Sequence, residues 1–345
     1  MLLYIHIPFC DSKCGYCAFA SFVAPKSLHA PYFAALHREL DQRLLPHMRF
    51  SSLFVGGGTP NVVSARFYAP LLKRLAPYLC EDCELSIELN PNHLTTDFVA
   101  TLRALGFNRI SLGAQSFNAQ KLQWLMRQHD PQSIFGACAM LYRAGFENLN
   151  IDVIYNTPFD SPQNLAFEAS NIAKLPLSHV SAYALSIDEG SAFFASGREA
   201  ANDGEEMCAL LGDLGFAQYE VSNYAKNDKY CRHNLGYWQH KDYLGIGASA
   251  VSFCGTCATR STNARTLQAY LANPLWQDVE ILSAHDLRFE QLFLGLRCFY
   301  GAPKAQCNAQ KLGIALRENL VRCENGRVVA NNFFLADSIA LFLES

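Results

Sequence analysis

The sequence predicts an α/β chain: an open, partial barrel of six βα units, followed by a smaller α+β region. Three observations carry this. Short apolar, β-branched runs recur at 2–7, 51–56, 83–89, 108–113, 148–155 and 178–187. Stretches of helical period lie between them. The alternation stops near residue 225.

The first run, Leu2-Leu3-Tyr4-Ile5-His6-Ile7, is too short and too apolar for a surface helix and reads as a buried strand. Phe33, Leu36, Leu40 and Leu44 then fall on one helical face. The run Ser52-Leu53-Phe54-Val55 is followed by Tyr68, Leu71, Leu72 and Leu75 in the same spacing. Repeated strand-then-helix units with short connectors form a parallel sheet. Six of them are too few to close an eight-fold barrel, hence the expectation of a partial one. A further strand is expected at 217–221. The polar turn Ala225-Lys226-Asn227-Asp228-Lys229 divides the chain into 1–225 and 226–345. Helical stretches at 264–272 and 284–298 and apolar runs at 320–323, 327–330 and 333–342 make up the second part.

The 345 residues suit one large or two unequal domains, and 50% hydrophobic residues supply a sizeable core. A net charge of −3 gives no reason to expect nucleic acid as a partner. Thirteen cysteines without a secretory signal point to a reducing compartment, so a cytoplasmic protein is expected. No apolar run approaches the ~18 residues of a membrane span.

Chemistry concentrates at the strand ends. Cys10, Cys14 and Cys17 form a Cys-x3-Cys-x2-Cys triplet directly after the first strand. Three thiolates on one short loop can hold three corners of a [4Fe–4S] cube and leave one iron open to an outside ligand. Gly56-Gly57-Gly58-Thr59-Pro60 follows the second strand. Glycines there let a ligand approach the backbone and are expected to leave N–H groups free for it. The run lacks the third Gly of a dinucleotide fingerprint and the Lys of a P-loop. Glu88, Gln115 and Asp152 are polar residues in or at the ends of consecutive strands, where an unpaired polar group is costly, so together they read as a ligand site. Arg127 is placed to meet a carboxylate bidentately.

The cysteine triplet, Gly56-Gly57-Gly58-Thr59-Pro60, Arg109-Ile110-Ser111-Leu112-Gly113-Ala114-Gln115-Ser116-Phe117 and Tyr219-Glu220-Val221-Ser222-Asn223-Tyr224-Ala225 resemble the oxygen-independent coproporphyrinogen III oxidase family of radical S-adenosylmethionine (SAM) proteins. The resemblance implies a [4Fe–4S] cluster on Cys10, Cys14 and Cys17. It also implies SAM contacts by Tyr4, Tyr16, Gly57, Gly58, Thr59, Glu88, Gln115, Arg127 and Asp152. The family divides into oxidases, which decarboxylate a porphyrinogen, and HemW-type heme chaperones. Phe19 stands where the oxidases carry a further Cys, and only nine residues precede Cys10, where they have a long extension. Cys231-Arg232-His233-Asn234-Leu235-Gly236-Tyr237-Trp238 resembles the His-Asn-x-x-Tyr heme motif of the chaperone branch. The resemblance therefore implies heme bound through His233, Asn234 and Tyr237, with Cys231 as an alternative ligand. A heme-accepting protein, respiratory ones included, and a reductant such as flavodoxin or ferredoxin are the implied partners. Ala18, Asn156-Thr157-Pro158-Phe159 and Val251 depart from the family's usual residues. Cys80-x2-Cys83 and Cys254-x2-Cys257 have zinc-like internal spacing but lie far apart, and are expected to be free thiols.

Overall fold

A computed structural model describes residues 1–189, 191–195 and 204–344. The six expected strands are present: β1 (Leu2–Ile7), β2 (Phe50–Gly57), β3 (Leu79–Leu89), β4 (Arg109–Gln115), β5 (Asn148–Tyr155) and β6 (His179–Ala184). They lie side by side in chain order, all parallel. Helices α1 (His29–Arg43), α2 (Tyr68–Leu75), α3 (Thr96–Ala104), α4 (Ala119–Trp124), α5 (Pro131–Arg143) and α6 (Pro162–Ile172) occupy the crossovers. Thr95, Asn118, Asp130 and Ser161 each cap a helix start with a side-chain oxygen that accepts a backbone N–H of the first turn.

The sheet is longer than six strands and open at both edges. On one side β6 pairs antiparallel with β8 (Asn223–Ala225), which pairs with β7 (Ala217–Gln218). Of the strand expected at 217–221 only Ala217–Gln218 forms; Glu220 makes an isolated bridge with Cys298, and β8 begins beyond the expected range. On the other side β9 (Tyr243–Ile246) runs parallel to β1, so β1 is interior. Three antiparallel strands then extend the edge: β10 (Val251–Cys254), β11 (Thr259–Asn263) and β12 (Gln277–Ile281). These four carry no long apolar run. Thr259-Arg260-Ser261-Thr262-Asn263 is polar throughout and holds its place by pairing with a strand on each side.

The main core fills the space between this sheet and its helices, around Leu3, Ile5, Val55, Ile87, Ile110 and Ile151. Helices α7 (Gly204–Asp213), α8 (Arg232–Trp238), α9 (Leu267–Ala272), α10 (Ala284–Leu296), α11 (Ala309–Arg317) and α12 (Ala336–Glu344) complete the chain. A second, small core joins Leu292 and Leu296 of α10, Leu312 of α11 and Ile339 and Leu343 of α12. It packs with a sheet of β13 (Ala302–Pro303), β14 (Val321–Glu324) and β15 (Arg327–Ala330). No described helix is long and apolar enough to cross a membrane.

Candidate functional site

The carboxyl ends of β1–β5 converge on a chamber of about 140 Å³ lined by Cys10, Cys14 and Cys17 with Gly57, Gly58, Thr59, Glu88, Gln115, Arg127 and Asp152. Its first wall is the loop after β1. Phe9–Cys10 pairs with Phe22–Val23, which closes the intervening residues into a loop. Gly15 is clamped by its N–H to the Leu125 carbonyl (3.3 Å), and the Phe193 N–H bonds back to the Gly15 carbonyl (2.9 Å). Cys10 Sγ lies 3.4 Å from Thr59 Oγ1, and Arg127 donates to Cys14 Sγ at 3.4 Å. Arg127 also donates to Asn90 Oδ1 (2.5 Å), and Asn90 Nδ2 donates to Thr59 Oγ1 (3.2 Å). One polar chain therefore links the Cys10 and Cys14 thiols through Thr59, Asn90 and Arg127. Asn90 carries no motif of its own beyond its place after β3, and sequence reasoning missed it.

Burial pushes the Cys10 and Cys17 thiols up, so their ionisation depends on a bound cation. Among the described residues no three His, Cys, Asp or Glu side chains close on the point a single ion would occupy. Cys10, Cys14 and Cys17 line one chamber, and three thiols are the soft donors that an iron–sulfur cluster takes. The donor set fits the cluster that the spacing suggested.

The second wall differs from expectation in its hydrogen bonding. The N–H groups of Gly57–Thr59 are not free: Gly57 donates to Glu88 Oε2 (3.0 Å), Gly58 to the Ile7 carbonyl (2.8 Å) and Thr59 to the Phe9 carbonyl (2.7 Å). The glycines serve close packing instead. Gly57 has φ +115°, and a Cβ on Gly58 would stand 2.6 Å from the Phe9 carbonyl oxygen and 3.0 Å from Cys10 Sγ. The strand end is welded to the cysteine loop.

Glu88, Asp152 and Gln115 form the third. Burial, with Asp152 nearby adding to it, pushes the Glu88 carboxyl up to about 7 against the opposing Gly57 N–H. Asp152 is also raised by burial, though it accepts from Asn150 Nδ2 (2.8 Å) and Ser111 Oγ (3.1 Å). A carboxyl so placed would release its proton to solvent when a cation comes to lie beside it. Gln115 has φ +65° beside a register shift between β4 and β5, which ends the ladder there.

Behind this chamber lies a second cavity of about 460 Å³, which Tyr16, Glu88, Gln115 and Asp152 also border. Tyr4 lines this cavity and not the cysteine chamber, so it joins the group from below the glycine run. His233, Asn234 and Tyr237 line it too. His233 is 1% exposed, and both ring nitrogens are engaged: Nδ1 with Ser52 Oγ (2.8 Å) and Nε2 with Tyr237 Oη (2.9 Å). Burial, with Arg109 adding to it, brings its pKa down to about 3, so the ring is neutral. Its imidazole reaches a metal only if Tyr237 releases Nε2. Cys231 borders none of the three cavities described, and burial pushes its thiol up to about 12.

A third cavity of about 670 Å³ shares Tyr4, Phe19, Glu88 and Tyr237 with its neighbour and is walled by Phe253 and Phe293. His240 enters it, with Nε2 3.0 Å from Glu290 Oε2 and the ring 4.3 Å from that of Phe253. Phe19, 70% exposed, stands at the border of all three spaces. Arg109 and His240, like Asn90, are functional candidates that sequence reasoning missed. Arg109 had a signal, since a cation opens an otherwise uncharged run, Ile110-Ser111-Leu112-Gly113-Ala114-Gln115; His240, in a polar turn, had none. Cys254 and Cys257 sit at the turn between β10 and β11, with the Cys257 N–H on Cys254 Sγ (3.2 Å), remote in sequence from Cys80 and Cys83 at the start of β3.

The signature of the Radical SAM superfamily matches residues 4–167. The heme chaperone HemW of Mycobacterium tuberculosis is 33% identical over 98% of this chain and 93% of its own length. That of Escherichia coli is 30% identical over 96% and 90%. The solved structure of Escherichia coli coproporphyrinogen III oxidase, a radical SAM enzyme, superposes with a TM-score of 0.83 over 100% of this chain and 90% of that one, at 24% identity, a likeness that establishes the fold. With relatedness that spans nearly its whole length, the chain belongs to the HemW family of radical SAM proteins.

Proposed function

We propose that this protein is a heme chaperone that carries a [4Fe–4S] cluster, SAM and heme, and delivers heme to acceptor proteins. The observation that supports it best is end-to-end similarity to HemW chaperones, with the three-thiol chamber intact. Cys10, Cys14 and Cys17 hold the cluster, and its open iron supplies the coordination site for SAM. Glu88 takes the amino group, losing its proton as it does so. Tyr16, Gly57, Gly58, Thr59, Gln115 and Asp152 border the SAM space, and Tyr4 closes its far side. Arg127 shields the charge on Cys14.

The flat apolar body of heme suits the aromatic second and third cavities, which meet at Tyr4, Phe19 and Tyr237. His233 orients Tyr237 there and is the axial-ligand candidate if that hydrogen bond opens. Residues 1–225 carry the cluster and SAM groups, and 226–345 add the His233 segment. That is a division of labour across one sheet, because β9–β12 belong to the sheet of β1–β6. A cytoplasmic protein working with a heme acceptor and a flavodoxin- or ferredoxin-like reductant completes the reading.

The second reading, an oxygen-independent coproporphyrinogen III oxidase, is favoured by the fold likeness alone. Heme titration of the reconstituted protein tests the first. A Soret band that saturates near one heme per chain supports it; free-heme spectra throughout remove it.

A further inference from the structure

Arg109 opens β4 and is 2% exposed, the largest side chain of the deep interior. A guanidinium presents five N–H donors in one plane, and burying them without acceptors is strongly unfavourable. Nε of Arg109 has no hydrogen-bond partner, and among the described residues no ion pair closes on the group. The nearby acids are spent elsewhere. Glu84 accepts the backbone N–H groups of Arg232 and His233, each at 3.0 Å, and Asp152 accepts from Asn150 and Ser111. They balance the charge on Arg109 and leave its Nε–H without an acceptor.

The residue lines the 460 Å³ cavity, whose polar wall includes Ser111 and Ser181 and whose aromatic wall includes Tyr4, Phe54 and Tyr183. A guanidinium that lines a space of this kind fits a flat ligand with a carboxylate arm. We propose that Arg109 anchors a ligand carboxylate in this cavity. This rests on the heme-chaperone reading, since both ligands of that reading carry the group: heme on its propionates, SAM on its amino-acid end.

The test uses the anaerobically reconstituted full chain, titrated separately with iron protoporphyrin IX, its dimethyl ester and SAM. For a propionate, wild type should bind the free acid about tenfold more tightly than the ester, and Arg109→Gln should erase that preference while SAM affinity holds. For the SAM carboxylate, Arg109→Gln should weaken SAM about tenfold and leave the acid–ester preference as in wild type. If Arg109→Gln does not fold, Arg109→Lys keeps the charge, loses the fork and is read the same way. Wild-type affinity for both ligands in a folded variant overturns the proposal and makes the buried guanidinium structural. Wild-type protein that binds no heme at all is a different failure, that of the chaperone reading.

Discussion

Replacing Gly57 with alanine probes the joint between the glycine run and β1. Gly57 has φ +115°, and an added Cβ would lie 2.5 Å from Cε1 and 2.6 Å from Nδ1 of His6. His6 cannot step aside cheaply, because Tyr4 Oη holds Nδ1 and the Ala20 carbonyl holds Nε2, each at 2.9 Å. Backbone strain of this kind costs about 1–3 kcal/mol. Forcing a methyl into filled space costs about as much again, giving about 2–6 kcal/mol in all. That is a large share of the roughly 5–15 kcal/mol by which domains are stable. Anaerobic urea denaturation of Gly57→Ala and wild type, followed by circular dichroism, measures the difference. The variant should also bind SAM more weakly, since His6 can yield only by moving Tyr4 or the Ala20 backbone that follows Cys17. A loss below about 1 kcal/mol, with SAM affinity unchanged, would refute the reasoning.

Further outcomes are expected elsewhere in the site. Cys14→Ala should lose the brown absorbance of a four-iron cluster on reconstitution, whereas Cys80→Ala and Cys254→Ala should keep it. Without ligands, Glu88 and Glu220 are both raised by burial from 4.5 to about 7, so the folded chain holds the extra protons and stability should fall as pH rises through that window. Denaturation midpoints between pH 4.5 and 7 should show the decline, and Glu88→Gln should reduce it. SAM binding at pH 6 should release a proton from Glu88, seen by calorimetry in buffers of different ionisation enthalpy and absent in Glu88→Gln. His233→Ala strands Ser52 and Tyr237, at about 1–3 kcal/mol for each partner left unpaired. Heme retention should weaken and the Soret band should shift or broaden, while cluster absorbance remains. An unchanged Soret band would take the His233 segment out of heme ligation.

What the sequence reveals here follows from which interactions leave a local trace. The six parallel strands are buried on both faces and so read as apolar runs, and the cysteine loop and Gly57–Thr59 announce themselves by residue type. The strands after residue 225 do not. Val251–Cys254 and Thr259–Asn263 are short or polar and are held by pairing, which composition does not record. The bonding of the site is equally hidden. That Gly58 and Thr59 spend their N–H groups on the Ile7 and Phe9 carbonyls, or that His233 has both nitrogens taken, depends on which strands become neighbours. Arg109 was visible as a residue, but its lack of partners appears only when the surrounding acids are seen bonded to other donors.

The central claim is heme carriage without porphyrinogen turnover. It is tested most directly by one anaerobic incubation of reconstituted protein with coproporphyrinogen III, SAM and a reductant, with heme binding measured on the same preparation. The expected result is near-stoichiometric heme binding and no protoporphyrinogen. Repeated formation of protoporphyrinogen per chain would contradict it and make this protein an oxidase.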